Sequence, residues 1–255
     1  MLLVIDIGNT NINIGVYDKD SLVKIYKIAS DNIKTPDEYG ILLSSMLSSN
    51  NIKENIKNVI ISSVVPTLGD TIQEAIKTYL NVNAYMVSHK SKLPFLIKIK
   101  EPKEAGADRL ANAAAASTLY KLPAIVVDIG TATTFDIVDK NKNFIGGIIA
   151  PGPLIQAKSL SKYTSKLPKL NIEAPKNTIG SNTIDAMLSG IVRGHKKMIE
   201  GMIDECEKEL GDIATIIVTG GLSDILFKDF KRDFEINKNL TLEGLKIIFE
   251  MNKEG

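Results

Sequence analysis

The sequence predicts an α/β protein built as two tandem domains of related design, and three observations carry that prediction. Asp6-Ile7-Gly8-Asn9-Thr10 joins the apolar run Leu2-Leu3-Val4-Ile5 to a second run, Ile12 to Tyr17, which reads as strand, glycine turn, strand. Asp128-Ile129-Gly130-Thr131-Ala132-Thr133-Thr134 repeats the pattern between Ala124-Ile125-Val126-Val127 and Phe135-Asp136-Ile137-Val138. Each half then continues in the order βββαβαβα, apart from one weak strand apiece.

In the first half, Leu22 to Ile28 alternates apolar and polar residues and predicts a third strand. Pro36-Asp37-Glu38 starts a helix through Ile41, Leu42 and Met46 that breaks at Ser49-Asn50-Asn51. Val59 to Val65, nearly all apolar and stopped by Pro66, predicts a central strand buried on both faces. Thr67 is read as the cap of the next helix, in which Leu68, Ile72, Ile76 and Leu80 recur at helical spacing. Ala84 to Val87 is a further strand, and a helix from Ala107 to Tyr120 closes the half.

The second half opens with strands at Ala124–Ile129, Thr133–Val138 and Phe144–Ala150. A helix entered at Pro151-Gly152-Pro153 follows, then a long one from Asn182 to Leu210. Ala214 to Val218 predicts a buried strand ending at Thr219-Gly220-Gly221, Phe234-Glu235-Ile236 a short edge strand, and Thr241-Leu242-Glu243-Gly244-Leu245 the start of a terminal helix. No Gly/Ser linker marks the boundary near residue 120, so domains 1–119 and 120–255 are expected to be joined rigidly by helices.

Composition narrows the class of partner. With 31 basic and 30 acidic residues the net charge is +1, which creates no field for nucleic acid or a membrane surface, and an aromatic content of 5% adds nothing for base stacking. No apolar run approaches a bilayer span and the N-terminus enters a strand without a leader, so a cytoplasmic protein is expected. The single cysteine, Cys206, excludes an internal disulfide and a cysteine-cluster metal site, and its charged helical surroundings read as those of an incidental thiol. His89 and His195 have no second ligand at metal spacing and are read as solvated surface.

Each glycine turn gathers a carboxylate, backbone N–H groups and a hydroxyl, the parts for holding a metal-bound phosphate. Two such turns suggest a nucleotide between the halves with Asp6 and Asp128 facing one polyphosphate. Carboxylates so placed require cations, magnesium by default and a looser second cation at Asp128. Thr219-Gly220-Gly221-Leu222-Ser223 is either a structural turn or a backbone surface on which a base or ribose can lie. Gly106-Ala107-Asp108-Arg109 opens an alanine-rich helix, Leu110 to Ala116. Asp108 there is either a helix cap or the carboxylate that deprotonates an attacking hydroxyl. Arg109 opposes the dipole of that helix end and so points to an anion.

These motifs, with Gly146-Gly147, Pro151-Gly152, Gly180-Xaa-Asn182-Thr183 and the terminal Asn239-Leu240-Thr241-Leu242-Xaa-Gly244-Leu245, resemble in order and spacing those of type III pantothenate kinases, over essentially the whole chain. The resemblance implies two ribonuclease H-like (actin-like ATPase) domains with mixed five-stranded sheets and an interdomain nucleotide cleft. It implies ATP-dependent phosphorylation of the primary hydroxyl of pantothenate to 4'-phosphopantothenate, the first step of coenzyme A synthesis, by a cytoplasmic homodimer. Residue by residue, it implies that Asp6, Ile7, Gly8, Asn9, Thr10, Asn11, Ile12 and Asn13 form the ATP-phosphate loop, with Asp6 beside magnesium. Thr131 becomes a second ATP contact, and Gly220 and Gly221 the nucleoside turn. Gly106, Ala107, Asp108 and Arg109 resemble the pantothenate loop, with Asp108 the catalytic base. Asp128 looks like the ligand of potassium or ammonium, and Thr183 like a substrate contact that reaches across the dimer. Ile99 departs from the pattern: the family commonly has tyrosine there, and isoleucine keeps an apolar contact while losing a hydroxyl hydrogen bond.

Two other readings fit the sequence. One is a superfamily kinase for another small alcohol, such as a sugar. The other is a non-catalytic nucleotide- or pantothenate-binding regulatory relative, against which the retained Asp6, Asp108 and Asp128 weigh, because a pure binding module needs no base.

Overall fold

A computed structural model describes residues 1–228 and 230–253. They fall into two compact units, Met1–Thr118 with the segment from Asn239, and Leu119–Lys238.

The first unit begins with β1 (Leu2–Ile7), β2 (Asn11–Asp18) and β3 (Ser21–Ala29), followed by α1 (Pro36–Ser48), β4 (Asn58–Ser63), α2 (Pro66–Leu80), β5 (Ala84–Met86), the two-residue β6 (Leu96–Ile97) and α3 (Ala107–Leu119). Its sheet runs β3-β2-β1-β4-β5. Hairpin turns make β1, β2 and β3 antiparallel, while the helical crossovers bring β4 and β5 in parallel. Thr35 and Glu38 form a reciprocal capping box that starts α1. α2 starts differently from the expectation: Pro66 takes the first helical position, Val65 precedes it, and Thr67 lies inside the first turn rather than capping it. Proline is preorganised for that position and has no N–H to satisfy. Leu3, Ile5, Ile7, Ile12 and Ile14 from the hairpin pack with Tyr39, Leu43, Leu68, Ile72 and Ile76 of α1 and α2 in one core.

The second unit repeats the design with β7 (Ala124–Ile129), β8 (Ala132–Val138), β9 (Asn143–Pro151), α4 (Pro153–Tyr163), α5 (Thr183–Leu188), α6 (Gly194–Leu210), β10 (Thr215–Thr219), α7 (Ser223–Leu226) and β11 (Glu235–Ile236). These strands lie in the order β11-β10-β7-β8-β9, the counterpart of β5-β4-β1-β2-β3. The long helix expected from Asn182 to Leu210 is present as α5 and α6 joined through a π-helical turn, Ser189–Arg193. Ile125, Val127, Ile129 and Phe135 pack with Val192, Ile199 and Ile203 in the unit's core.

The C-terminal helix α8 (Leu240–Asn252) belongs to the first unit, whereas the order of the sequence places residues 239–255 in the second half. Leu240, Leu242, Leu245 and Ile248 are buried, and apolar burial of that size decides the location over chain order. Among the described residues no helix is long and apolar enough to cross a membrane.

Candidate active site

In the first unit the glycine turn is built around Asp6, 9% exposed at the end of β1. Sheet register sets Asn13 and Ser62 directly opposite it on the neighbouring strands. Ser62 Oγ donates to Asp6 Oδ1 at 2.8 Å and Asn13 Nδ2 donates to Oδ2 at 3.3 Å. Bonds from two sides hold the carboxylate in one orientation. The Gly8 N–H donates to Asn11 O at 3.0 Å and closes the turn. Ser30, just past β3, braces it from behind through its N–H to Thr10 O at 3.0 Å and its hydroxyl to Gly8 O at 2.6 Å. Asn9 and Thr10 are exposed at the tip, with Asn11 and Asn13 half-buried. Ile7 and Ile12 are fully buried in the core, so only their backbones can reach a ligand.

Asp108 and Arg109 lie half-buried in the first turn of α3. The Arg109 backbone N–H donates to Asp108 Oδ1 at 2.7 Å. Burial pushes the Asp108 carboxyl above the usual carboxylate range, and the Arg109 N–H and charge pull against that rise. Gly106 fits tightly under this carboxylate: a Cβ there would lie 2.6 Å from Asp108 Oδ1 and 3.6 Å from Val64 Cγ1. Val64 follows β4, and its N–H donates to Ile7 O at 3.1 Å. Val64 thus neighbours both the phosphate-type turn and the loop that carries Asp108. Ala107 is buried and Ile99 half-buried in the same unit.

In the second unit Asp128 is half-buried near the end of β7, with Thr134 and Thr219 opposite it on β8 and β10. This turn is shorter. Gly130 N–H donates to Ala132 O at 3.0 Å, and Thr131 is exposed at the tip, where its carbonyl accepts the Gly152 N–H at 3.1 Å. Gly220 has φ +93° and backs onto β7 so closely that a Cβ would meet Ile129 O at 2.4 Å; its glycine is required by that packing. Gly221 has open space around it and is the member of the pair that a flat ligand could approach. Thr183 is exposed in the first turn of α5, whose cap is Asn182.

His195 is 2% exposed, which corrects the expectation of a solvated surface residue. Its ring lies 2.8 Å from Thr133 Oγ1 through Nε2 and 2.8 Å from Gln156 Nε2 through Nδ1, tying α6 to β8 and α4. The Gln156 amide can only donate through that nitrogen, so Nδ1 is the acceptor and Nε2 carries the proton. Burial holds the His195 pKa below its ordinary value, which keeps the ring neutral. Three further residues gave no signal as site members. Ser62 stood as a polar interruption in an apolar run, Gln156 as an ordinary helix residue, and Asp136 as a strand residue. Asp136 is fully buried two positions from Thr134, on the sheet face that also carries Asp128.

Among the described residues no group of three or more His, Cys, Asp or Glu is placed to hold a metal. The donors present around the turns are carboxylate, hydroxyl, amide and backbone oxygen, which suit hard cations that keep part of their coordination for water and phosphate.

Duplicated βββαβαβ units, each with an aspartate-glycine turn, are the architecture of the actin-like and sugar-kinase fold. Solved structures agree on the fold: a 2-dehydro-3-deoxygalactonokinase protein of Sinorhizobium meliloti superimposes with TM-score 0.62 at 11% identity over 100% of this chain and 98% of that one. The AMPPNP-bound MreB 5 of Spiroplasma citri does so with TM-score 0.54 at 15% identity over 98% and 95%. The family profile described as type III pantothenate kinase matches residues 2–205. The type III pantothenate kinase of Finegoldia magna is 44% identical over 99% of this chain and 98% of its own. The chain belongs to the type III pantothenate kinase family.

Proposed function

We propose that the chain transfers the γ-phosphoryl group of ATP to the primary hydroxyl of pantothenate, giving 4'-phosphopantothenate for coenzyme A synthesis. The observation that carries this reading is Asp108, a half-buried carboxylate with a raised pKa at the start of α3. Burial makes this carboxylate more basic than an ordinary aspartate and so better matched to an alcohol proton. The hydroxyl oxygen forms a bond to the γ-phosphorus, the bond from that phosphorus to the bridging oxygen of ADP breaks, and the hydroxyl proton passes to Asp108. Arg109 binds the acceptor's carboxylate, and Gly106 and Ala107 let the acceptor lie close to the backbone.

The segment Asp6 to Asn13 takes the ATP phosphates through backbone and amide groups, Thr131 adds a hydroxyl contact, and Gly221, with Gly220 behind it, meets the nucleoside. Asp6 is the residue that would hold magnesium and Asp128 the one that would hold potassium or ammonium; bound cations supply charge neutralisation for the phosphates. A homodimer is supported by the second unit, where Ile149, Leu154, Tyr163, Ile179 and Ile184 are exposed, an apolar burden that suits an interface better than water. Thr183, exposed beside Ile184, is available there to substrate held by a partner copy. Light scattering should return the mass of two chains. A cytoplasmic location follows from the need for ATP, and cell fractionation checks it.

The test is direct. Purified protein with ATP, magnesium and potassium should convert pantothenate to phosphopantothenate, read by mass spectrometry, with sugars as competing acceptors. No turnover above an Asp108→Asn control would refute the reading, and turnover of a sugar alone would reassign the acceptor.

A further inference from the structure

The terminal run Asn239–Leu245 takes no part in the phosphate or acceptor contacts above and lies beyond the region matched by the family profile. It packs on the sheet, where Leu242 lies against Gly15 of β2, and two of its contacts fall on the helix that carries Asp108. Thr241 Oγ1 donates to Asn112 Oδ1 at 2.8 Å. Asn112 is 1% exposed and sits four residues after Asp108, on the same side of α3. One residue earlier on α3, Ala111 meets Gly244 of α8: a Cβ at Gly244 would lie 1.8 Å from Ala111 O and 2.5 Å from its carbonyl carbon. The two helices therefore touch backbone to backbone, an approach that only glycine permits.

α3 needs such a key because of its composition. Ala111 and Ala113–Ala116 are all fully buried, and methyl side chains interlock poorly, so packing alone discriminates weakly between rotations of the helix. Asn112 breaks the run with a buried amide that would be costly at any rotation that took it from Thr241. Small rotations matter at the site. At a helix surface about 5 Å from the axis, a turn of ~20° sweeps a side-chain tip through roughly 2 Å, and a displacement of about 1 Å can cost a reaction ~100-fold.

We infer that Thr241 and Gly244 are positioning residues: the Thr241–Asn112 bond and the Gly244–Ala111 contact set the rotation and axial register of α3 and so aim the Asp108 carboxylate. The inference rests on the reading of Asp108 as base. It assigns the C-terminal helix a part in turnover, at a distance from the reacting atoms.

Thr241→Val keeps the shape and removes the donor. It should lower kcat about 10-fold or more, leave KM for ATP within about twofold, and move the acid limb of the pH–rate profile, since the surroundings of Asp108 change. Thr241→Ser should restore both kcat and the limb. Wild-type kcat in the valine variant would overturn the inference. So would a loss of thermal stability and activity with an unmoved pH profile and no rescue by serine, the behaviour of a residue that only holds the fold. If the valine variant does not fold, Thr241→Cys, a weaker donor of similar shape, is judged by the same criteria. Asp108→Asn measured alongside separates the two claims: normal turnover there defeats the reading of Asp108, while an inactive Asp108→Asn beside a fully active Thr241→Val defeats the positioning role alone.

Discussion

In the first unit the aspartate of the glycine turn is buried between a serine and an asparagine that both donate to it, whereas its counterpart Asp128 is half-buried with threonines opposite it on both sides. The turns also differ in length. Gly8 bonds a carbonyl three residues on and Gly130 one two residues on, so the first turn has Asn9 and Thr10 exposed and the second Thr131 alone at its tip. In each, the residue after the third strand donates its N–H to the turn, but Ser30 adds a hydroxyl bond that Gly152 cannot make. Duplication has kept the strand order and changed the chemistry. In the proposed reaction, an aspartate held by Ser62 and Asn13 behind a longer tip suits the holding of phosphate and magnesium. In the same proposal, the less buried Asp128, with threonines opposite it, is the one assigned to a weakly held monovalent cation.

If the two turns are unequal in this way, removing each charge should separate them. Asp6→Asn should reduce kcat/KM for ATP by about 10²–10³. It should also cost stability of about 1 kcal/mol in thermal or urea unfolding, because an amide nitrogen would oppose a donor from Asn13 or Ser62. Asp128→Asn should cost about tenfold in kcat and abolish the difference between potassium and sodium buffers, read in the same coupled assay. Equal losses from the two variants, or potassium activation that survives Asp128→Asn, would show that the two turns do not divide the work in this way.

The smallest expected effect concerns how the second unit is held together behind its turn. His195 is kept neutral, with a folded-state pKa below its ordinary value. The unfolded chain therefore binds the proton more readily. Stability contributed by the neutral ring is full above the ordinary histidine pKa of about 6.5 and is lost as pH falls from there through the folded value. His195→Gln, which cannot charge, should flatten the dependence of melting temperature on pH across that window and change kcat at neutral pH by no more than about twofold. A slope identical to wild type would show that another group titrates there.

The strands, the paired turns and the start of α3 were legible in the sequence because their signals are local: runs of apolar residues, Asp-Ile-Gly, a helix opening on Gly-Ala-Asp-Arg. What was not legible depends on contacts far apart in the chain. The charged neighbours of His195 suggest solvent, but its ring side meets Thr133 and Gln156, which lie 62 and 39 residues away. Burial of Leu240, Leu242, Leu245 and Ile248 holds α8 in the first unit, with Gly244 seated on Ala111, and nothing in the order of elements announces it. At α2 a local signal misled: Thr67 resembles a cap, yet Pro66 before it already occupies the first helical position. Ser62 could have been noticed as a polar residue in a buried run, and its register with Asp6 gives the reason it is there.

Turnover, ATP affinity and melting temperature measured on one preparation of Asp108→Asn decide whether Asp108 is the base. The raised pKa means that the folded state disfavours the ionised carboxylate, so stability falls as pH rises through that group's titration and the neutral amide should relieve it. If Asp108 is the base, kcat falls by a factor of ~10²–10⁴, the dissociation constant for ATP is unchanged, and the melting temperature at neutral pH equals or exceeds that of the wild type. Turnover within a few fold of wild type, or activity lost together with the fold or with ATP binding, would contradict that role.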